Sequence, residues 1–210
     1  MMGSSDTPRL IALEGGEGAG KSSQIETVAD ILRAAGQAVV ITREPGGTAL
    51  GEAIRGVLMA DHGRPMPPMS ELLLMFAARA AHLEQVIEPA LARGDWVVTD
   101  RFTDASYAYQ GAARGLGDAA VATLEQLVQG ARRPDRVLVF DLPVARGMER
   151  AGKRGAGNRF DTETLDFHEQ VRASYLQRAR AAPQRYRIID AGAQRDTVAD
   201  QIHTALADWT

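Results

Sequence analysis

Between Gly15 and Ser22 the chain reads Gly-Gly-Glu-Gly-Ala-Gly-Lys-Ser, the G-x-x-x-x-G-K-[ST] pattern, directly after an apolar run ending at Glu14 and before a segment of helical periodicity. A glycine-rich turn from strand to helix lets backbone N–H groups converge on phosphate oxygens, and the helix that follows presents its positive end to the same anion. Lys21 is placed to reach β- and γ-phosphates, and the Ser22 hydroxyl to ligate Mg²⁺. An ordinary glycine-rich βα turn needs no lysine there, and the pattern arises by chance in on the order of one in a hundred chains of this length. It predicts that Gly15, Gly16, Glu17, Gly18, Ala19, Gly20, Lys21, Ser22 and Ser23 bind a nucleoside triphosphate. By itself it does not separate a kinase from a GTPase, a motor or a regulatory ATPase. Asn158 is the only asparagine and Arg159 follows it, so the guanine-reading N-K-x-D pattern is absent.

A P-loop calls for a parallel sheet, and the rest of the chain reads that way. Strands are expected at Leu10 to Glu14, Ala38 to Thr42, Trp96 to Asp100, Arg136 to Asp141 and Arg187 to Asp190, several of them continuous apolar runs suited to a sheet covered on both faces. Four of these five end in Glu or Asp, and in open parallel sheets ligands bind beyond the carboxyl ends of the strands. Ile25, Val28, Ala29 and Leu32 recur at helical spacing, as do Leu72, Met75, Phe76, Leu83 and Ile87 in a longer segment. No linker divides the 210 residues, so one α/β domain is expected. Residues 152–159, rich in glycine and basic side chains, read as a loop within it.

Composition narrows the chemistry. With no cysteine, disulfides, thiolate metal sites and cysteine nucleophiles are excluded. A net charge of -3 without a lysine-rich tract gives no reason to expect duplex nucleic acid as a partner, so the second ligand should be small. No apolar run approaches a membrane span, and residues 1–6 lack the apolar core of a signal peptide, which makes the cytoplasm the expected compartment. Among 24 cationic residues only Lys21 and Lys153 are lysines. His62, His168 and His203 are expected on solvated surfaces.

Trp96-Val97-Val98-Thr99-Asp100 has the form of a Walker B segment. Asp100 could hold Mg²⁺ or its water shell, accept a proton from an attacking group, or merely cap the next segment. Arg101 follows it and brings a cation beside the phosphate site, suited to a second anionic substrate.

These pieces resemble thymidylate kinase of the bacterial type, over almost the whole length of the chain. The most specific are Thr42-Arg43-Glu44-Pro45-Gly46-Gly47-Thr48, Asp100-Arg101-Phe102 and Tyr109-Gln110-Gly111 followed by Arg114-Gly115. The resemblance implies transfer of the γ-phosphate of Mg-ATP to dTMP, on a P-loop nucleoside monophosphate kinase fold with a five-stranded parallel sheet and a short lid near residues 150–161, in a homodimer. It implies catalytic roles for Lys21, Asp100 and Arg101, Mg²⁺ ligation by Ser22 and Asp100, and contact of Glu17 with the deoxyribose 3′-hydroxyl. Arg55 and Arg101 would grip the dTMP phosphate, where planar guanidiniums suit two parallel bonds. Arg79 and Gln110 would read the thymine edge, Tyr109 would stand beside the sugar, and Glu44, Pro45 and Ser106 would complete the substrate site. The base-stacking Phe commonly lies four residues before the arginine, a place taken here by Met75. Phe76, three before Arg79, is favoured for its flat ring. Gly18 stands where the eukaryotic type has an arginine, so a lid arginine is expected to serve the transferring phosphoryl group: Arg150 or Arg154, with Lys153 and Arg159 nearby. Asn158-Arg159-Phe160-Asp161 departs from the commoner lid pattern. Asp141-Leu142-Pro143 is read as structural, with Pro143 opening a helix. The competing readings are another P-loop small-molecule kinase and a catalytically silent nucleotide-binding module.

Overall fold

The apolar runs do form a sheet. In the computed structural model, which describes residues 9–153 and 159–210, β1 (Leu10–Glu14), β2 (Val39–Arg43), β3 (Trp96–Asp100), β4 (Arg136–Asp141) and β5 (Tyr186–Asp190) pair in parallel, in the order β2-β3-β1-β4-β5. Three of the five expected strands keep their bounds. β2 runs one residue later than Ala38 to Thr42 because its ladder with β3 continues to Arg43 opposite Asp100. β5 gains Tyr186, which stands opposite Val137.

Alternation along the strands divides the core in two. Leu10, Ala12, Val97, Val137 and Val139 face one side, against Ile87, Ala90, Ala108, Val171 and Tyr175. Ile11, Leu13, Trp96, Val98, Leu138 and Phe140 face the other, against Val28, Leu32, Val198, Ile202 and Trp209. The second face is covered by α1 (Lys21–Ala34) and α9 (Arg195–Leu206), the first chiefly by α8 (Leu165–Ala181). With both faces covered, each of these apolar side chains contributes about 1.5–3 kcal/mol of burial, which is why β1 and β4 tolerate few polar residues.

The other helices carry the side chains of interest to the sheet's carboxyl edge. α2 (Ala49–Met59) starts at Thr48, whose Oγ1 accepts the Gly51 N–H at 2.9 Å. α3 (Pro68–His82) runs on through a π-helical turn, Leu83–Ile87, into α4 (Glu88–Ala92), so the expected long helix is continuous but widened in the middle. α5 (Thr103–Ser106) widens likewise into a π-helical stretch, Tyr107–Ala113. α6 (Asp118–Gln129) packs on α3, and α7 (Val144–Gly152) opens directly after Pro143 as expected. Asp141 pairs with Arg172 at 2.7 Å, a structural use. No helix among the described residues is long and apolar enough to cross a membrane.

Candidate active site

A cavity of about 840 Å³ opens at the carboxyl ends of β1, β2 and β3. Its wall takes in the P-loop from Glu17 to Ser23, Glu44 and Pro45, Arg55, Met75, Arg79, Asp100, Arg101, Ser106, Tyr109, Gln110 and Arg150. Residues scattered along the chain thus meet where the strand order reverses. Gly15 and Gly16 lie behind this wall, around a small crevice shared with Asp141 and His168.

The P-loop is built on glycines in left-handed backbone. Gly20, at φ 87°, turns the chain into α1, and a side chain at Gly18 (φ 68°) would strike the carbonyl of Gly147 in α7. That contact leaves no room for any side chain at Gly18, an arginine included. Lys21 Nζ donates to the carbonyls of Gly15 and Gly16, both at 3.0 Å. Burial, reinforced by the nearby Arg101 charge, lowers its pKa to about 8. Ser22 Oγ donates to Asp100 Oδ2 at 3.0 Å, while Asp100 Oδ1 is buried with no hydrogen-bond partner. Two adjoining hard oxygens, one of them unsatisfied, suit Mg²⁺ completed by phosphate oxygens and water.

Arg101 is the one non-glycine residue with positive φ among those described, at 71°. Its backbone N–H donates to Leu13 O and the next N–H, that of Phe102, to Glu14 Oε1 at 2.7 Å, which holds this turn against the end of β1. The turn sends the guanidinium back over the P-loop, where it donates to Gly15 O at 3.1 Å and Glu17 Oε1 at 2.7 Å and stands 4.9 Å from the Tyr109 ring centre. Tyr109 Oη donates to the same Glu17 oxygen at 2.9 Å. Burial works to raise the pKa of Glu17, but Arg101, then Lys21 and the Tyr109 hydroxyl outweigh it and hold the value at about 2. Among the described residues no countercharge touches Glu14 beneath; burial and then Asp104 raise its pKa to about 8.

Across the cavity, Glu44 accepts from Arg79 Nε at 2.8 Å and from His82 at 2.9 Å, and the following bond to Pro45 is cis. Arg55 donates to Pro45 O at 3.1 Å. Arg79 also bonds Ser106 Oγ and Phe102 O. Among the described residues four of the five guanidinium N–H groups are taken, which leaves one on Nη1 for a ligand.

Several expectations need correction. Phe76 does not line the cavity: it is 2% exposed and packs with Leu72, Tyr107 and Val121, beneath the Arg79 guanidinium at 4.5 Å. One residue turns a helix by about 100°, and that rotation puts Met75 on the cavity wall and sends Phe76 toward α6. His168 is buried, 4% exposed, against the P-loop side of α8 rather than on a solvated surface. Lys153 pairs with Glu149 on the surface at 2.6 Å. Arg159 is committed elsewhere, bonding Leu58 O and pairing with Glu71 at 2.7 Å. Arg150 reaches the cavity wall while donating to Ala191 O at 3.1 Å. Arg154 and Asn158 lie outside the described residues. Glu14, Glu71, His82 and Arg114 form the site's inner support and were missed. Arg114 carried a sequence signal through the motif around Tyr109, and Glu14 only as a strand-terminal acid.

The chain is similar to known proteins of one family. The family model described as thymidylate kinase matches residues 13–202. The chain is 55% identical over 194 residues to thymidylate kinase of Alcanivorax borkumensis, covering 92% of this chain and 93% of that one. It is 58% identical over 186 residues to thymidylate kinase of Ectopseudomonas mendocina, covering 89% of each. Among solved structures it resembles thymidylate kinase from Ehrlichia chaffeensis, with a TM-score of 0.77 and 28% identity over 95% of this chain and 98% of that one.

Proposed function

The chain belongs to the thymidylate kinase family, and from that premise we propose that it phosphorylates dTMP to dTDP with ATP, using the cavity at the sheet's carboxyl edge, in one domain with a lid near residues 150–161. The observation that carries the reading is Arg101. Its left-handed backbone aims one guanidinium at both the P-loop and Glu17, where it can neutralise charge between donor and acceptor phosphates.

ATP phosphates lie on the N–H groups of the loop and the start of α1, with Lys21 as a point charge. Ser22 and Asp100 would hold Mg²⁺, which supplies charge neutralisation on the β- and γ-phosphates. Arg55 and Arg101 bind the dTMP phosphate, so that its oxygen stands in line with the γ-phosphorus. A bond forms between them as the bond to the leaving oxygen of ADP breaks. Catalysis is chiefly positioning and fixed charge. Glu17, a carboxylate at neutral pH, accepts the sugar 3′-hydroxyl, Tyr109 walls the sugar, and Met75, in place of Phe76, packs on the base beside Arg79 and Gln110. From the lid side Arg150 or Arg154 meets the transferring group.

Two further parts of the reading are a cytoplasmic location and a homodimer. The dimer is supported by exposed apolar side chains on three neighbouring helices: Leu50 and Val57 on α2, Met69 and Leu73 on α3, and Leu127 on α6. Coupled ADP release across nucleoside monophosphates tests the reaction. Turnover with dTMP well above AMP is expected; turnover with AMP or shikimate and none with dTMP overturns it.

A further inference from the structure

Gln110 is 1% exposed, lines the cavity, and donates from Nε2 to Glu71 Oε1 at 2.7 Å. Glu71 is itself fully buried and lies between two guanidiniums, Arg159 at 2.7 Å and Arg114 at 3.3 Å. A carboxylate so paired accepts hydrogen bonds and donates none. A primary amide has one donor end and one acceptor end, so whichever end meets Glu71 must be the NH₂. The carbonyl of Gln110 is thereby turned to the cavity, and among the described residues no protein donor takes it.

We propose that Glu71 is a specificity-determining residue that acts through Gln110: by fixing the amide's polarity it makes the site demand a donor at the ring nitrogen of the base. A thymine or uracil imide offers N3–H to that carbonyl. Cytosine offers a lone pair at the same point, and two acceptors then face each other. Reversing the amide would cure the clash for cytosine only by turning a carbonyl on Glu71, a buried acceptor against a buried carboxylate. Arg79 adds a second, donor-only group on the same edge, so Glu71 accounts for part of the discrimination. The inference rests on the reading of Gln110 as a contact to the base.

Steady-state kinetics with dTMP and dCMP on four proteins test it: wild type, Glu71→Gln, Gln110→Leu and the double variant. In Glu71→Gln the ratio of kcat/KM for dTMP to that for dCMP should fall on the order of tenfold, the worth of one hydrogen bond. KM for ATP should stay within about twofold. The same substitution made in Gln110→Leu should leave the ratio unchanged. A ratio unaltered in Glu71→Gln, or altered equally in both backgrounds, overturns the proposal and makes Glu71 a packing residue only. If Gln110→Leu itself leaves KM for dTMP and the ratio at wild-type values, the base-contact reading fails instead. Glu71→Asp, which keeps both ion pairs' charge, gives the same test with a smaller expected fall should Glu71→Gln not fold.

Discussion

Glu14 and Lys21 sit at either end of the P-loop, and both are buried where water would ordinarily hold their charge. The consequence for Glu14 appears in stability. Its folded pKa, about 8, lies above its ordinary value, so the folded state binds a proton that the unfolded state has released. Its contribution is fully present below about pH 4.5 and is lost as pH rises through 8. Thermal melts of wild type and Glu14→Gln should therefore converge in acid, and the wild type should lose ground from pH 5 to 8. Parallel curves would contradict this. Gln keeps an acceptor for the Phe102 N–H, so the Arg101 turn survives the change. Lys21→Ala should act on turnover instead, lowering kcat on the order of a hundredfold or more with an unaltered melt; full activity would reject the P-loop assignment. Lys21 was legible because its motif is local. Glu14 was visible only as a strand-terminal acid: its burial depends on Tyr175, far along the chain, closing over it at 2.8 Å.

Elements meet closely where the P-loop touches α7. A side chain at Gly18 would strike the Gly147 carbonyl, and one at Gly147 would come within 2.5 Å of Glu17 O. Both glycines are small because two backbones share that space. Gly147→Ala should push α7 off the loop, costing about 1–3 kcal/mol of stability and raising KM for ATP more than KM for dTMP. Denaturant melts and paired KM values check this; an ATP KM at the wild-type level would show that the loop does not lean on α7. Such a contact is not written in periodicity. The strands were readable because burial on both faces leaves continuous apolar runs. The bounds of β2 and β5 were not, since pairing partners decide where a ladder stops. Likewise Met75 and Phe76 are equally apolar neighbours, and only the rotation of α3 against α6 decides which of them lines the cavity.

For the whole molecule α3 carries two loads. Glu71, Met75 and Arg79 point inward to the cavity and its support, while Met69 and Leu73, 45% and 51% exposed, point outward at one-turn spacing. The run Leu72-Leu73-Leu74-Met75-Phe76 is apolar around most of the helix, so its sequence does not tell inside from outside. A two-fold interface formed by this outer face with α2 and α6 would brace the helix that carries Met75 and Arg79 to the cavity. Leu73→Glu puts a charge into such an interface at a position that is half exposed in the single chain, so the fold should survive. Sedimentation at micromolar concentration should change from twice 22.6 kDa to 22.6 kDa. If the interface steadies α3, KM for dTMP should rise severalfold in the monomer while KM for ATP, bound through α1 and the P-loop, stays put. A wild type that sediments as a single chain would reject the dimer, and a monomeric variant with an unaltered dTMP KM would separate assembly from base recognition.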